Sequence, residues 1–136
     1  MQWSLPIHIK PPHQLVDYPS KLLLVGSCFS EHIGAGLSDL KFDVLQNPHG
    51  ILFAPDAITQ ALSDYVTCRQ YSLEDLFQLE GIWYSWNHHS RFSDPKPELV
   101  LQRINASIQA AHDFLKHTNF LIITLGSAFS HRLTNL

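Results

Sequence analysis

Gly26-Ser27-Cys28-Phe29-Ser30 sets a hydroxyl beside a thiol directly after the apolar run Leu22-Leu23-Leu24-Val25. Either group becomes a nucleophile when a base or a cluster of backbone N–H groups activates it. If Gly26 makes the turn and a helix starts near Cys28, the unpaired N–H groups of that helix start stabilise a thiolate and can hold an oxyanion. Two plainer roles compete with this one: a free Cys filling space as a small hydrophobe, and Ser27 capping the helix. Asn47-Pro48-His49-Gly50 offers an amide and the Gly50 N–H to the same edge, and reads equally well as a β-turn. Gly126-Ser127 repeats the passage from an apolar strand into glycine. Candidate bases are His49, His89 and His131, each near a predicted strand end, although no partner is fixed by spacing.

The nine histidines invite a metal reading, which the spacing does not support. There is no HExxH, no CxxC and no His/Asp set at helical spacing. Adjacent residues on a strand point to opposite faces, so His88 and His89 would not share an ion. "GSCFSEHIGAG" matches neither phosphate-cradling glycine pattern. The expectation is no metal and no cofactor. A formal charge of -3 with no Lys/Arg cluster argues against nucleic acid. No apolar segment approaches the ~20 residues of a membrane span, and the start of the chain has no leader pattern, so the expected location is cytoplasmic with no membrane partner. Cys28 and Cys68 are expected as free thiols, because 136 residues with 45% hydrophobic content can build one core without a staple.

These residues need elements to hold them. Residues 1–20 contain Pro6, Pro11, Pro12 and Pro19 and read as an extended lead-in, with a short edge strand at Leu5 to Ile9. Lys21 to Val25, apolar without alternation, reads as a parallel strand covered on both faces. Phe29, Ile33, Leu37 and Leu40 then mark one helical face, and Lys41 to Gln46 a second strand. A helix is expected over Asp56 to Val66, with Ile58, Ala61, Leu62 and Tyr65 on one side. A short helix over Ser72 to Phe77 carries a weak capping box, Ser72 with Asp75. Gly81 divides an aromatic hairpin around Ile82-Trp83-Tyr84-Ser85-Trp86. Trp83, Tyr84, Trp86 and Phe92 read as core or interface more readily than as a carbohydrate platform. A long helix follows, capped by Asp94 with Pro95 in its first turn, its apolar face formed by Val100, Ile104, Ile108, Ala111 and Leu115. Phe120 onward is a third buried strand. Strands alternating with helices predict an α/β fold with a mostly parallel sheet, ligands collecting at the carboxyl ends of the strands.

Four blocks, "LLLVGSCFSEHIG", "NPHGILFAP", "WYSWNHHSRFS" and "LIITLGSAF", together resemble the GSCFA family, with Ser30 where the motif has Ala. The resemblance spans most of residues 21–130. It implies an SGNH/GDSL hydrolase-like, flavodoxin-like three-layer α/β/α sandwich over residues 21–136, incomplete at the C-terminus, with the aromatic hairpin as an insertion. Overlaying the superfamily's Gly-Asp-Ser-Leu block puts Cys28 at the nucleophile position and Ser27 on the Asp. Gly50 becomes an oxyanion donor with Asn47 close by. The third block falls on Gly126, Ser127, Ala128 and Phe129, where Ala128 cannot supply an Asn side chain. The superfamily's base would lie beyond Leu136. The implied activity is hydrolysis of ester or acyl groups, on a small molecule or a glycan. The competing expectation is a non-catalytic binding domain that uses Trp83, Trp86, His88 and His89 as its surface. An uncovered edge at the third strand favours pairing with another chain.

Overall fold

The computed structural model describes residue 10 and residues 13–130; the expected strand at Leu5 to Ile9 and the candidate base His131 lie outside them. In chain order the elements are β1 (Lys21–Gly26), α1 (Cys28–Asp39), β2 (Asp43–Gln46), α2 (Pro55–Thr67), β3 (Leu76–Leu79), β4 (Ile82–Ser85), α3 (Pro97–Leu115) and β5 (Phe120–Thr124). Single turns of 3-10 helix precede β3 at Leu73–Asp75 and follow β4 at Ser90–Phe92.

β1 is the central strand of a three-stranded sheet ordered β2-β1-β5, and both of its neighbours run parallel to it. Its unbroken apolar run follows from that position: Leu22, Leu23, Leu24 and Val25 are all buried because both faces are covered. Leu23 and Val25 enter a core with Leu52, Ile58, Ala61 and Tyr65 around α2 and Ala111 of α3. Leu22 and Leu24 point the opposite way, toward α1. Full burial of each such side chain is worth about 1.5–3 kcal/mol, so β1 anchors everything placed at its end. A second core joins Tyr71, Phe92, Val100, Ile104 and Ile108, with Trp83 and Leu76 of the hairpin packed against it.

Several expectations need correction. α1 does not bury Phe29, Ile33, Leu37 and Leu40: Phe29 and Leu40 are about 60% exposed. It lies on the sheet through Ser30 and Gly34 instead. A Cβ at position 34 would overlap the Gln46 side chain, so the glycine permits an approach no larger residue allows. The segment expected as a helix over Ser72 to Phe77 is a single 3-10 turn leading into β3, although the Ser72–Asp75 capping box does form. α3 begins at Pro97 rather than Pro95, and Asp94 accepts the Lys96 N–H at 3.0 Å just outside it. β2 is shorter than expected, because Lys41 has a left-handed φ of 70° that ends the preceding turn.

β5 is the least covered strand of the three-stranded sheet. Leu121 and Ile123 pair in register with Leu23 and Val25 and therefore share their face, yet they are 43% and 44% exposed. α2 and α3 cover β1 but do not extend over β5. Among the described residues β5 pairs only with β1, leaving its outer backbone edge free.

Candidate functional site

Three segments converge where β1 ends. Gly26 has φ 141° and no room for a side chain, since a Cβ would overlap the Thr124 carbonyl oxygen. The chain turns there, and the Ser27 N–H donates to the Thr124 carbonyl and hydroxyl, both at 3.1 Å. Ser27 is the N-cap residue of α1 by position, but its hydroxyl makes no capping bond. Its Oγ lies 3.0 Å from Thr124 Oγ1, which also meets Ser30 Oγ at 2.7 Å. Ser27 is thus a buried strut to β5, a correction to its expected capping role.

Cys28 is the first residue of α1, and it is exposed. Among the described residues its Sγ has no hydrogen-bond partner. The N–H groups of Cys28 and Phe29, at the helix start, have no carbonyl to meet within the helix. A side chain on this turn is therefore open to solvent and adjacent to two free donors.

Asn47 is the hub of the second segment. It is fully buried with a left-handed φ of 43°. Its N–H donates to the Leu24 carbonyl at 2.8 Å, and its Oδ1 accepts the Gly26 N–H at 2.9 Å. The Asn47 carbonyl accepts the Gly50 N–H at 2.8 Å and also the Arg91 guanidinium. Its Nδ2 is buried and unpartnered. The Gly50 N–H is thus held inside its own turn, while the Asn47 amide retains a donor beside the Gly26 turn. Gly50 has φ 87° and lies against His89, which is why no side chain fits. The N–H groups of Gly126 and Ser127 both donate to the Phe53 carbonyl at 3.1 Å, fastening β5's exit to the segment before α2.

The histidines divide sharply. His49 is buried, and both ring nitrogens are engaged: Nε2 lies 3.1 Å from Asp64 Oδ2 and Nδ1 lies 3.0 Å from Tyr65 Oη. An ionised Asp64 can only accept, so the proton sits on Nε2 and the Tyr65 hydroxyl donates to Nδ1. No lone pair of His49 remains for catalysis. His88 stacks on His49 with ring centroids 4.1 Å apart. Its Nδ1 lies 2.9 Å from Ser85 Oγ, and its Nε2 is buried without a partner. Burial pushes the His88 imidazole down to about 3. His89 is exposed on the other side, as adjacent strand-like residues require, and its Nδ1 accepts the Arg91 N–H at 3.1 Å. Of the two histidine neighbours, one is packing and one is surface. Among the described residues no group of three or more His, Cys, Asp or Glu is arranged to hold a metal ion.

Asp64, Tyr65, Tyr71, Asn87 and Arg91 are the residues that sequence reasoning missed. Burial alone raises the Asp64 carboxyl, but hydrogen bonds from His49, Tyr71 and Gln60 outweigh it and hold the group below the usual carboxylate range. The Tyr71 hydroxyl donates to Asp64 Oδ2 at 2.7 Å and accepts from Asn87 Nδ2 at 3.0 Å. Burial also raises both the Tyr65 and the Tyr71 hydroxyls, which keeps them protonated as donors. The available signal was an acid set within the apolar stripe Ile58, Ala61, Tyr65, where a lone carboxylate needs partners. Arg91 ties the hairpin exit to α1, meeting Glu31 at 3.1 Å one turn after Cys28.

Together these contacts define an α/β protein that presents an exposed thiol at the carboxyl end of its central parallel strand, on a loop cluster braced by a buried Asp–His–Tyr network. The chain belongs to the GSCFA family, whose model matches residues 21–135. No curated protein and no solved structure matches it.

Proposed function

We propose that the chain is a thiol-dependent hydrolase of ester or acyl groups with an SGNH/GDSL-like α/β/α architecture, and that Cys28 is its nucleophile. The observation that carries this reading is the exposed Cys28 at the first position of α1, flanked by free helix-start N–H groups. Attack by the Cys28 thiolate on an acyl carbon moves the carbonyl electron pair onto oxygen, where the N–H groups of Cys28 and Phe29 supply donors. Collapse expels the alcohol, which takes up a proton, and leaves a thioester on Cys28. Water then cleaves that thioester to the free acid and regenerates the thiol. Neither buried histidine serves as the base in this scheme, since both ring nitrogens of His49 are engaged and His88 is buried in packing.

Alkylation with iodoacetamide near neutral pH, followed by peptide mass analysis, tests the reading. Cys28 is expected to react at least about ten-fold faster than Cys68, which is partly buried and lies 3.2 Å from Gln109 Oε1. Equal rates at the two thiols would remove the argument for activation.

A second reading, a non-catalytic interaction domain, draws on the uncovered apolar residues Leu121 and Ile123 beside the free edge of β5. Concentration-dependent self-association measured by light scattering, abolished by Ile123→Lys, would favour it. A monomer at all concentrations would count against it.

A further inference from the structure

The aromatic hairpin stands apart from the Cys28 turn and is built like a binding surface. β3 and β4 pair antiparallel, with Leu76 opposite Ser85 and Phe77 opposite Tyr84. Leu76 and Trp83 face inward to the α3 core, so the alternate residues Phe77 and Tyr84 face outward. There Phe77 stacks on Tyr84 with centroids 5.5 Å apart and planes inclined 20°. It also stacks on Trp86 at 3.9 Å and 15°. Trp86 nevertheless remains 64% exposed. One face of the indole is thus fixed against a neighbour while much of the ring stays open to solvent, which leaves little side-chain entropy to lose when a ligand arrives.

A flat, preset aromatic face takes another ring face, either the C–H face of a sugar or a heteroaromatic base. Charge decides between them. Asp75 is paired with Arg69 at 2.9 Å, but residues 72–90 also carry Glu74 and Glu80 and no Lys or Arg, a local charge that opposes the phosphate of any nucleotide. An organic cation is bound best by several ring faces enclosing it, and these three rings lie nearly parallel instead. We propose that the Phe77–Trp86 stack is a platform for a neutral saccharide ring. Beyond β4 the chain turns at Trp86 and Asn87 and reaches His89, whose N–H donates to the His49 carbonyl at 2.9 Å and whose side chain lies against Gly50. A glycan seated on Trp86 is therefore tied through three residues to the loop beside the thiol. The platform rests on the hairpin geometry alone and does not require Cys28 to be a nucleophile.

Isothermal titration calorimetry of the chain with cellohexaose, xylohexaose and chitohexaose, and with adenosine monophosphate as the charged planar control, tests it. The expected result is saturable binding of at least one hexaose, weakened at least about ten-fold in Trp86→Ala and partly kept in Trp86→Tyr. The Cys28→Ala variant is expected to bind as the parent does, which separates this proposal from the catalytic one. Circular dichroism on each variant confirms that the fold is intact before affinities are compared. No binding of any hexaose, unchanged affinity in Trp86→Ala, or tighter binding of adenosine monophosphate than of the sugars would each overturn the proposal.

Discussion

Acidification from about pH 7 to about pH 5 should cost this chain close to 2 kcal/mol through His88 alone. The imidazole stays neutral in the fold down to about 3, because burial opposes its charge. In the unfolded chain it titrates at its ordinary value of 6.5. Since the folded value is depressed, the unfolded state binds a proton that the native state refuses, and stability falls as pH drops through 6.5. At about pH 5 the unfolded state has gained roughly 1.5 pH units of protonation free energy at about 1.36 kcal/mol each. Only a few tenths of a kcal/mol of this is already present at about pH 7. Asp64 does not confuse this window, because its folded pKa lies below its unfolded value of 3.8 and it is ionised in both states above about pH 5. Its own contribution is lost only at lower pH. The assay is urea unfolding followed by circular dichroism, in which ~2 kcal/mol lowers the midpoint by about 1 M. His88→Phe retains a ring against His49, Tyr71 and Phe92 and removes the proton site. If that variant and the parent lose the same stability over this interval, the argument from buried His88 is wrong.

Replacing Asp64 with Ala removes the acceptor shared by His49, Tyr71 and Gln60 and strands two buried donors, so unfolding free energy should drop by about 3 kcal/mol in thermal or urea melts. Gly26→Ala forces a Cβ onto the Thr124 carbonyl at a φ that L residues avoid; the expected outcome is a loss of about 3 kcal/mol or more, read as a failure to give a cooperative melt. Gly34→Leu should push α1 away from β2 at about 1–3 kcal/mol, whereas Gly36→Leu, with open space around it, should melt within about 0.5 kcal/mol of Gly36→Ala.

What the sequence made legible was whatever period and turn chemistry determine. The unbroken Leu22-Leu23-Leu24-Val25 run pointed to a doubly covered parallel strand, Gly81 to a hairpin, and the Val100 to Leu115 stripe to α3. The orientation of α1 was not legible, because Phe29, Ile33 and Leu37 mark an apolar face at helical spacing while contact is set by Gly34 and Ser30. Nor could spacing reveal that Asp64 joins His49, Tyr65 and Tyr71 in one hydrogen-bonded chain, since those partners meet only when α2 and the Asn47–Gly50 turn pack together. Cys28 lies at the strand-to-helix turn as its spacing required, and Asn47 lies beside that turn. The Gly50 N–H, expected as an oxyanion donor, meets the Asn47 carbonyl, and the Gly126 and Ser127 N–H groups meet the Phe53 carbonyl, tertiary facts that motif overlay does not contain.

The central claim is that Cys28 attacks acyl carbon. Incubation with p-nitrophenyl acetate, an acid quench and peptide mass analysis would locate any covalent intermediate directly. The account predicts one acetyl group on Cys28 as a thioester, cleaved by hydroxylamine and absent from Cys28→Ala. An acetyl group found only on Ser27, on Cys68 or on lysines, with Cys28 unmodified, would contradict it.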